Sequence, residues 1–135
     1  MLKIFKSVIV LYFLFAKSLA ANVIDVDNKE IKKLLIKNIP IIDIRTRGEW
    51  SQTGVIPNSL LITFFDKNGH YNLNEWYKRL LEVSSKNSDV ILICRSGRRT
   101  KIAGDMINKR FGIVVYNAKN GINSWINSKL NIVKP

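Results

Sequence analysis

Short runs of branched apolar residues alternate with stretches of helical periodicity along the chain, and that alternation narrows the fold more than any other feature. "IPIIDI" (39–44), "LLIT" (60–63), "DVILIC" (89–94) and "GIVVYN" (112–117) are strand-length and mostly apolar. Such runs suit strands buried on both faces of a parallel sheet. Val23 begins a further short extended start, after which Asp27 and Glu30 stand at capping-box spacing for a helix. Ile31, Leu34 and Leu35 form its apolar stripe, and Lys29, Lys32, Lys33 and Lys37 form its solvated face. Leu73, Trp76, Tyr77, Leu80 and Leu81 predict a helix over 73–83. Ile102, Ala103, Met106 and Ile107 predict the buried side of another helix, and "GINSWIN" (121–127) reads as a short last one. Trp50 and Trp125 are core candidates; "GVIPNS" (54–59) is a turn, and "FFDKNGHY" (64–71) is a surface loop with Asn68-Gly69 at its turn. The expected fold is α/β, an open, mostly parallel sheet flanked by helices on both faces.

The first twenty of the 135 residues follow another pattern. "MLKIFK" is basic, "SVIVLYFLFA" is uncharged, and Ser18 and Ala20 place small residues at −3 and −1 of a cut after Ala20. That is the layout of a secretory signal peptide. Ten helical residues rise roughly 15 Å, about half of a bilayer core, which suits a cleaved leader better than an anchor. Residues 1–20 are therefore expected to be a leader and 21–135 one domain without stable membrane insertion, periplasmic or secreted. Lys and Arg number 22 against 10 Asp and Glu, a formal charge of +12. No basic tract interleaved with aromatics and no nucleic-acid motif accompanies that charge, so a nucleic-acid partner is not expected. Small anionic substrates remain compatible with it.

Cys94 is the one cysteine in the chain. After export it has no partner for an internal disulfide, so it is either an inert buried residue or a reactive thiol. Its setting favours the second. It closes the run "DVILIC", and "RSGRR" (95–99) then connects a strand's C-terminus to a helix's N-terminus. Ligands of open α/β sheets bind at that edge, and free amides and the helix dipole there favour an anion. Gly97 lets the loop curl into a nest of amides. Beside Arg95, Arg98 and Arg99, this geometry favours the thiolate form of Cys94.

Three stretches in order resemble the single-domain rhodaneses, the thiosulfate sulfurtransferases. "CRSGRRT" (94–100) is similar to the family's active-site loop, a cysteine opening a six-residue turn with glycine in fourth place. "IDIRTRGEWSQTGVIPNS" (42–59) resembles its upstream signature of Asp-x-Arg, a glutamate four residues on, and a Gly-His-Ile-Pro-Gly-Ala turn. "NAKNGINSW" (117–125) resembles its Gly-Gly-Ile-x-x-Trp stretch. Val55, Asn58 and Asn120 depart from that pattern by replacing a histidine and two glycines; none removes a sulfur-bonding atom. The resemblance implies that Cys94 takes a sulfane sulfur from thiosulfate or a similar small anionic donor. It then passes it as a persulfide to cyanide or a thiol. The loop residues Arg95, Ser96, Gly97, Arg98, Arg99 and Thr100 would bind the substrate or the persulfide. Arg99 would either meet the donor or fold back onto Glu49 or Asp43. Asp43, Arg45 and Glu49 have supporting roles, Asp43 and Arg45 as a bracing ion pair.

No cofactor is implied, and one cysteine with one histidine, His70, cannot assemble a structural zinc site. A partner that reduces the lone thiol is compatible with export. The competing readings are a persulfide carrier without turnover and a cysteine-based phosphatase or arsenate reductase. The latter enzymes place arginine six residues past the cysteine, where this chain has Thr100, and Arg99 comes one place early.

Overall fold

The computed structural model describes residues 23–85 and 88–135; the leader expected over 1–20 lies outside the described residues. Five strands, β1 (Val23–Val26), β2 (Ile41–Asp43), β3 (Leu60–Leu61), β4 (Val90–Ile93) and β5 (Val115–Ala118), form one sheet in the order β1-β5-β4-β2-β3. Every strand pairing in this open sheet is parallel. The helices are α1 (Asn28–Ile36), α2 (Arg47–Thr53), α3 (Leu73–Val83), α4 (Arg98–Phe111) and α5 (Gly121–Asn127). An isolated antiparallel bridge between Val55 and Val133 ties the chain's end to the turn after α2. Among the described residues no helix is long and apolar enough to cross a membrane.

β4 lies between β5 and β2 and is buried along its whole length. Its pleat distributes side chains to two cores. Val90, Leu92 and Cys94 pack with Trp76 and Leu80 of α3 and Ala103 and Ile107 of α4. Ile91 and Ile93 pack on the opposite face with Ile31 of α1 and Ile122 and Trp125 of α5. The two-residue period of β4 thus decides that Cys94 points toward α4.

α1 starts at the capping box: Asp27 Oδ1 accepts from the Glu30 N–H at 2.8 Å, and Glu30 Oε1 accepts from the Asp27 N–H. Its four lysines are exposed. α3 spans the predicted 73–83 and is capped by Asn72, whose side chain accepts from the Glu75 N–H. β3 is shorter than its sequence run. β5 begins later than "GIVVYN" suggests, because Gly112 ends α4 in a left-handed conformation at φ 70°. The surface loop 64–71 is anchored at one end, since Phe64 is buried against Trp76.

Two further features differ from the sequence expectation. α2 is a helix that apolar periodicity does not reveal, because Trp50 is its one buried residue. In α4 the buried side is Thr100, Ala103, Gly104 and Ile107, whereas Ile102 is 50% exposed. Once Thr100 faces Cys94, helical spacing turns 103, 104 and 107 inward and 102 outward. Gly104 is the residue that fits there, its α-carbon side facing Val115 so closely that an added Cβ would lie 2.9 Å from that side chain.

Candidate active site

All strands being parallel, the ends of β2, β4 and β5 meet at one edge, the edge where open α/β sheets hold ligands. Register brings Asp43 beside Ile93 and Leu92 beside Asn117, so Asp43, Cys94 and Asn117 lie close around the end of β4. Cys94 is 1% exposed, yet it is not surrounded by apolar groups alone. The Gly97 N–H donates to its Sγ at 3.2 Å, and the Thr100 hydroxyl lies 3.4 Å from the sulfur. Arg95, Ser96 and Arg98 are exposed while Gly97 and Thr100 are buried, so the sulfur sits at the floor of a loop whose rim is in solvent.

The loop's shape is imposed from behind. The carbonyls of Cys94 and Arg95 accept from the Ile122 and Asn123 N–H groups of α5 at 2.8 and 3.1 Å. In a trans peptide the N–H opposes the C=O, so the Arg95 and Ser96 N–H groups turn away from α5, toward the open side. Two glycines make this approach possible. Gly97 adopts φ 94°, and a Cβ there would overlap the Lys119 carbonyl oxygen. Gly121 adopts φ 60°, and a Cβ there would overlap the Arg95 carbonyl. The departures from the family pattern fall where they cost little. Asn120 has φ −111°, which any residue adopts, and Asn58 has φ 64°, which asparagine tolerates better than most residues.

The charged residues separate into three groups. Asp43 and Arg45 pair inside the protein: Arg45 Nη2 donates to Asp43 Oδ2 at 2.8 Å and Nε to Oδ1 at 3.0 Å. The remaining Arg45 donors reach Thr53 Oγ1 and the Gly54 carbonyl. Arg99 folds back onto Glu49, its Nη1 and Nη2 donating to the two carboxylate oxygens at 2.9 and 2.6 Å. This bidentate contact holds the Glu49 carboxyl at about 2, below the ordinary 4.5, against burial acting the other way. The same hydrogen bonds raise Arg99. Arg95 and Arg98 have no carboxylate partner among the described residues. His70 is exposed and lies 3.4 Å from Asp66, and no cluster of three metal-ligating side chains occurs among the described residues.

Two details escape a reading of the sequence: a second task of Glu49, and the part played by Asn117. Glu49 also starts α2, its carboxylate accepting from the Thr46 N–H and hydroxyl, and Thr46-x-x-Glu49 was the available signal. Asn117 accepts from the Thr100 hydroxyl at 2.5 Å and is 2% exposed. A polar side chain closing an otherwise apolar strand at the ligand edge was its only mark. Beside the loop, a groove of about 550 Å³ runs between Phe65 and Lys67 on one side and Arg99 and Ile102 on the other.

A model of the rhodanese-like domain matches residues 27–128. No curated protein sequence matches the chain. Among solved structures, a rhodanese-related protein of Thermoplasma volcanium superposes with a TM-score of 0.64 at 20% identity, covering 83% of this chain and 99% of that one. The reduced CoADR-RHD of Bacillus anthracis gives 0.64 at 25% identity, over 83% of this chain and 18% of its own. The polysulfide-sulfur transferase homodimer of Wolinella succinogenes gives 0.63 at 20% identity, over 87% and 82%.

Proposed function

The chain belongs to the rhodanese-like family, and from that premise we propose that it is an exported sulfurtransferase that carries a sulfane sulfur as a persulfide on Cys94. Family membership supports sulfur transfer or a related role; the donor, the acceptor and the place of action belong to the proposal. In the first half-reaction the Cys94 thiolate attacks the outer sulfur of thiosulfate. The S–S bond of the donor breaks, its electron pair leaves with sulfite, and Cys94–S–S⁻ remains. In the second, a thiolate or cyanide attacks the terminal sulfur, giving a new persulfide or thiocyanate and returning the Cys94 thiolate.

The observation that carries this reading is the sulfur's position beside the Gly97 N–H and the Thr100 hydroxyl, with Arg95 and Arg98 exposed on the following residues and without a carboxylate partner among the described residues. The amide suits an anionic persulfide, the hydroxyl can turn to donate to one, and the two exposed guanidinium groups suit the sulfonate end of the donor. The groove beside α4 gives an acceptor thiol larger than cyanide a place to approach. Phosphate chemistry is disfavoured by the same geometry. The residue six past Cys94 is Thr100, and Arg99, one place early, is held by Glu49 rather than arched over the loop.

The test is mass spectrometry of the protein after incubation with thiosulfate. One added sulfur located at Cys94, absent in Cys94→Ser, is the expected result; an unloaded wild type, or loading that survives Cys94→Ser, would overturn the proposal. The burial of Cys94 favours one second reading, a persulfide carrier without turnover. Steady-state sulfite release in the presence of cyanide separates the enzyme from the carrier. Export is proposed on residues 1–20 alone; a periplasmic protein beginning at Ala21 supports it, and full-length cytoplasmic protein contradicts it. In an oxidising compartment the lone thiol would further need a reducing partner.

A further inference from the structure

The Thr100 hydroxyl has one hydrogen and two neighbours that want it: Cys94 Sγ at 3.4 Å and Asn117 Oδ1 at 2.5 Å. Which of them receives it is decided by what lies behind Asn117. Its Nδ2 donates to Asp25 Oδ1 at 3.0 Å and to the Gly97 carbonyl at 3.4 Å. A carboxylate and a carbonyl only accept, so the amide nitrogen must face them and the amide oxygen must face Thr100. With the oxygen so held, the Thr100 hydrogen points at Asn117, and the hydroxyl presents a lone pair to Cys94. That arrangement suits a protonated sulfur, whose S–H donates to Thr100.

We propose that Asn117 is a positioning residue that sets the ionisation of Cys94 by competing with its sulfur for the single hydrogen of the Thr100 hydroxyl. When the proton of Cys94 leaves to a base in solution, the hydroxyl can swing to donate to the thiolate. Doing so strips Asn117 Oδ1 of its partner at a 2% exposed position where water cannot replace it. Asn117 therefore keeps the Thr100 hydrogen from the sulfur and gives it up when an anion, thiolate or persulfide, occupies the loop. The groups that could otherwise bias the sulfur are the Gly97 N–H that donates to it, Arg95 on the loop, Arg98 and Arg99 at the start of α4, the Asp43–Arg45 pair at the end of β2, Asp25 on β1 and Lys119 after β5. The Asn117 variants also release Asp25 and the Gly97 carbonyl, which Asn117 Nδ2 holds, so the same variants in the Thr100→Val background separate that loss from the competition for the hydrogen.

The proposal concerns the thiol itself and is read without sulfur transfer, so it stands or falls separately from the sulfurtransferase reading. The experiment is the rate of alkylation of Cys94 by iodoacetamide as a function of pH, in the full mature domain, with thermal melts confirming a folded protein. Asn117→Val frees the hydroxyl for the thiolate. Its profile should move to lower pH, with alkylation on the rising limb faster by roughly threefold to tenfold, the worth of one hydrogen bond. Thr100→Val should move the profile to higher pH, and Thr100→Ser should restore the wild-type one. In the Thr100→Val background, Asn117→Val should produce no downward shift. If Asn117→Val does not fold, Asn117→Ala carries the same expectation. A profile unmoved or moved upward by the Asn117 variants would overturn the proposal. So would a downward shift that persists at full size without the Thr100 hydroxyl.

Discussion

Two loops leave neighbouring strands at the same edge of the sheet and use arginine in opposite ways. After β2, Arg45 is 1% exposed and spends its donors on Asp43, Thr53 and Gly54. After β4, Arg95 and Arg98 are exposed and have no carboxylate partner among the described residues. The first is a brace and the second a pair of solvent-exposed cations, although both are read from similar short polar stretches. Arg99, at the start of α4, stands between them, half-buried and bound to Glu49 of α2. The number of arginines in a loop therefore overstates the positive charge it can offer an anion. What matters is whether a carboxylate lies within reach, as Asp43 does two residues before Arg45 and Glu49 does across the site from Arg99.

Substitutions can break this contrast. The largest expected effect is from Asp43→Ala, which strands a buried guanidinium. Stability should fall by about 3–5 kcal/mol, measured by urea unfolding. A loss below about 1 kcal/mol, the worth of an exposed pair, would mean that Arg45 reaches water and that the two loops are alike.

An intermediate effect is expected from Glu49→Gln, which weakens the tie between α2 and α4. A loss of about 1–2 kcal/mol near neutrality follows from losing charge-assisted hydrogen bonds at a partly exposed site. Its pH dependence has a definite sign. The folded carboxyl is lowered from 4.5 to about 2, so its stabilisation is complete above the unfolded value and is lost as pH falls through the folded one. The gap between wild type and Glu49→Gln should accordingly shrink below pH 4.5 and close near pH 2. A gap independent of pH over that window would detach Glu49 from the pair.

The smallest effect on stability, and the sharpest on function, is expected from Arg95→Ala and Arg98→Ala. Each should stay within about 0.5 kcal/mol of wild type, as surface changes do, while raising the thiosulfate concentration needed for half-maximal loading. Added salt should raise that concentration for the wild type and less for the double variant, since exposed charges are screened over about 10 Å at 0.1 M. Unchanged loading in both single variants and in the double would remove these arginines from donor binding.

Much of this arrangement was legible in the chain. The apolar runs predicted the strands, Asp27 and Glu30 predicted the start of α1, and the position of Cys94 at the end of a run predicted the edge at which it appears. α2 was not read, because one tryptophan gives no period and its start signal is polar. Ile102 was assigned to the wrong side of α4 because apolar character alone was counted, while a threonine facing the sulfur set the helix's rotation. Asn117 was missed because its importance lies in contacts to Asp25 and Thr100, 92 and 17 residues distant in sequence.

By itself the sequence determined the alternation of strands and helices, the buried character of β4 and the presence of one thiol where that strand ends, because these follow from local periodicity and from residue type. Only the tertiary structure decided which arginines are paired, which glycine admits α5 against the loop and where the Thr100 hydrogen points. Those outcomes depend on distances between residues far apart in the chain, and a hydrogen bond or ion pair has no strength until the fold has brought its partners within about 3 Å.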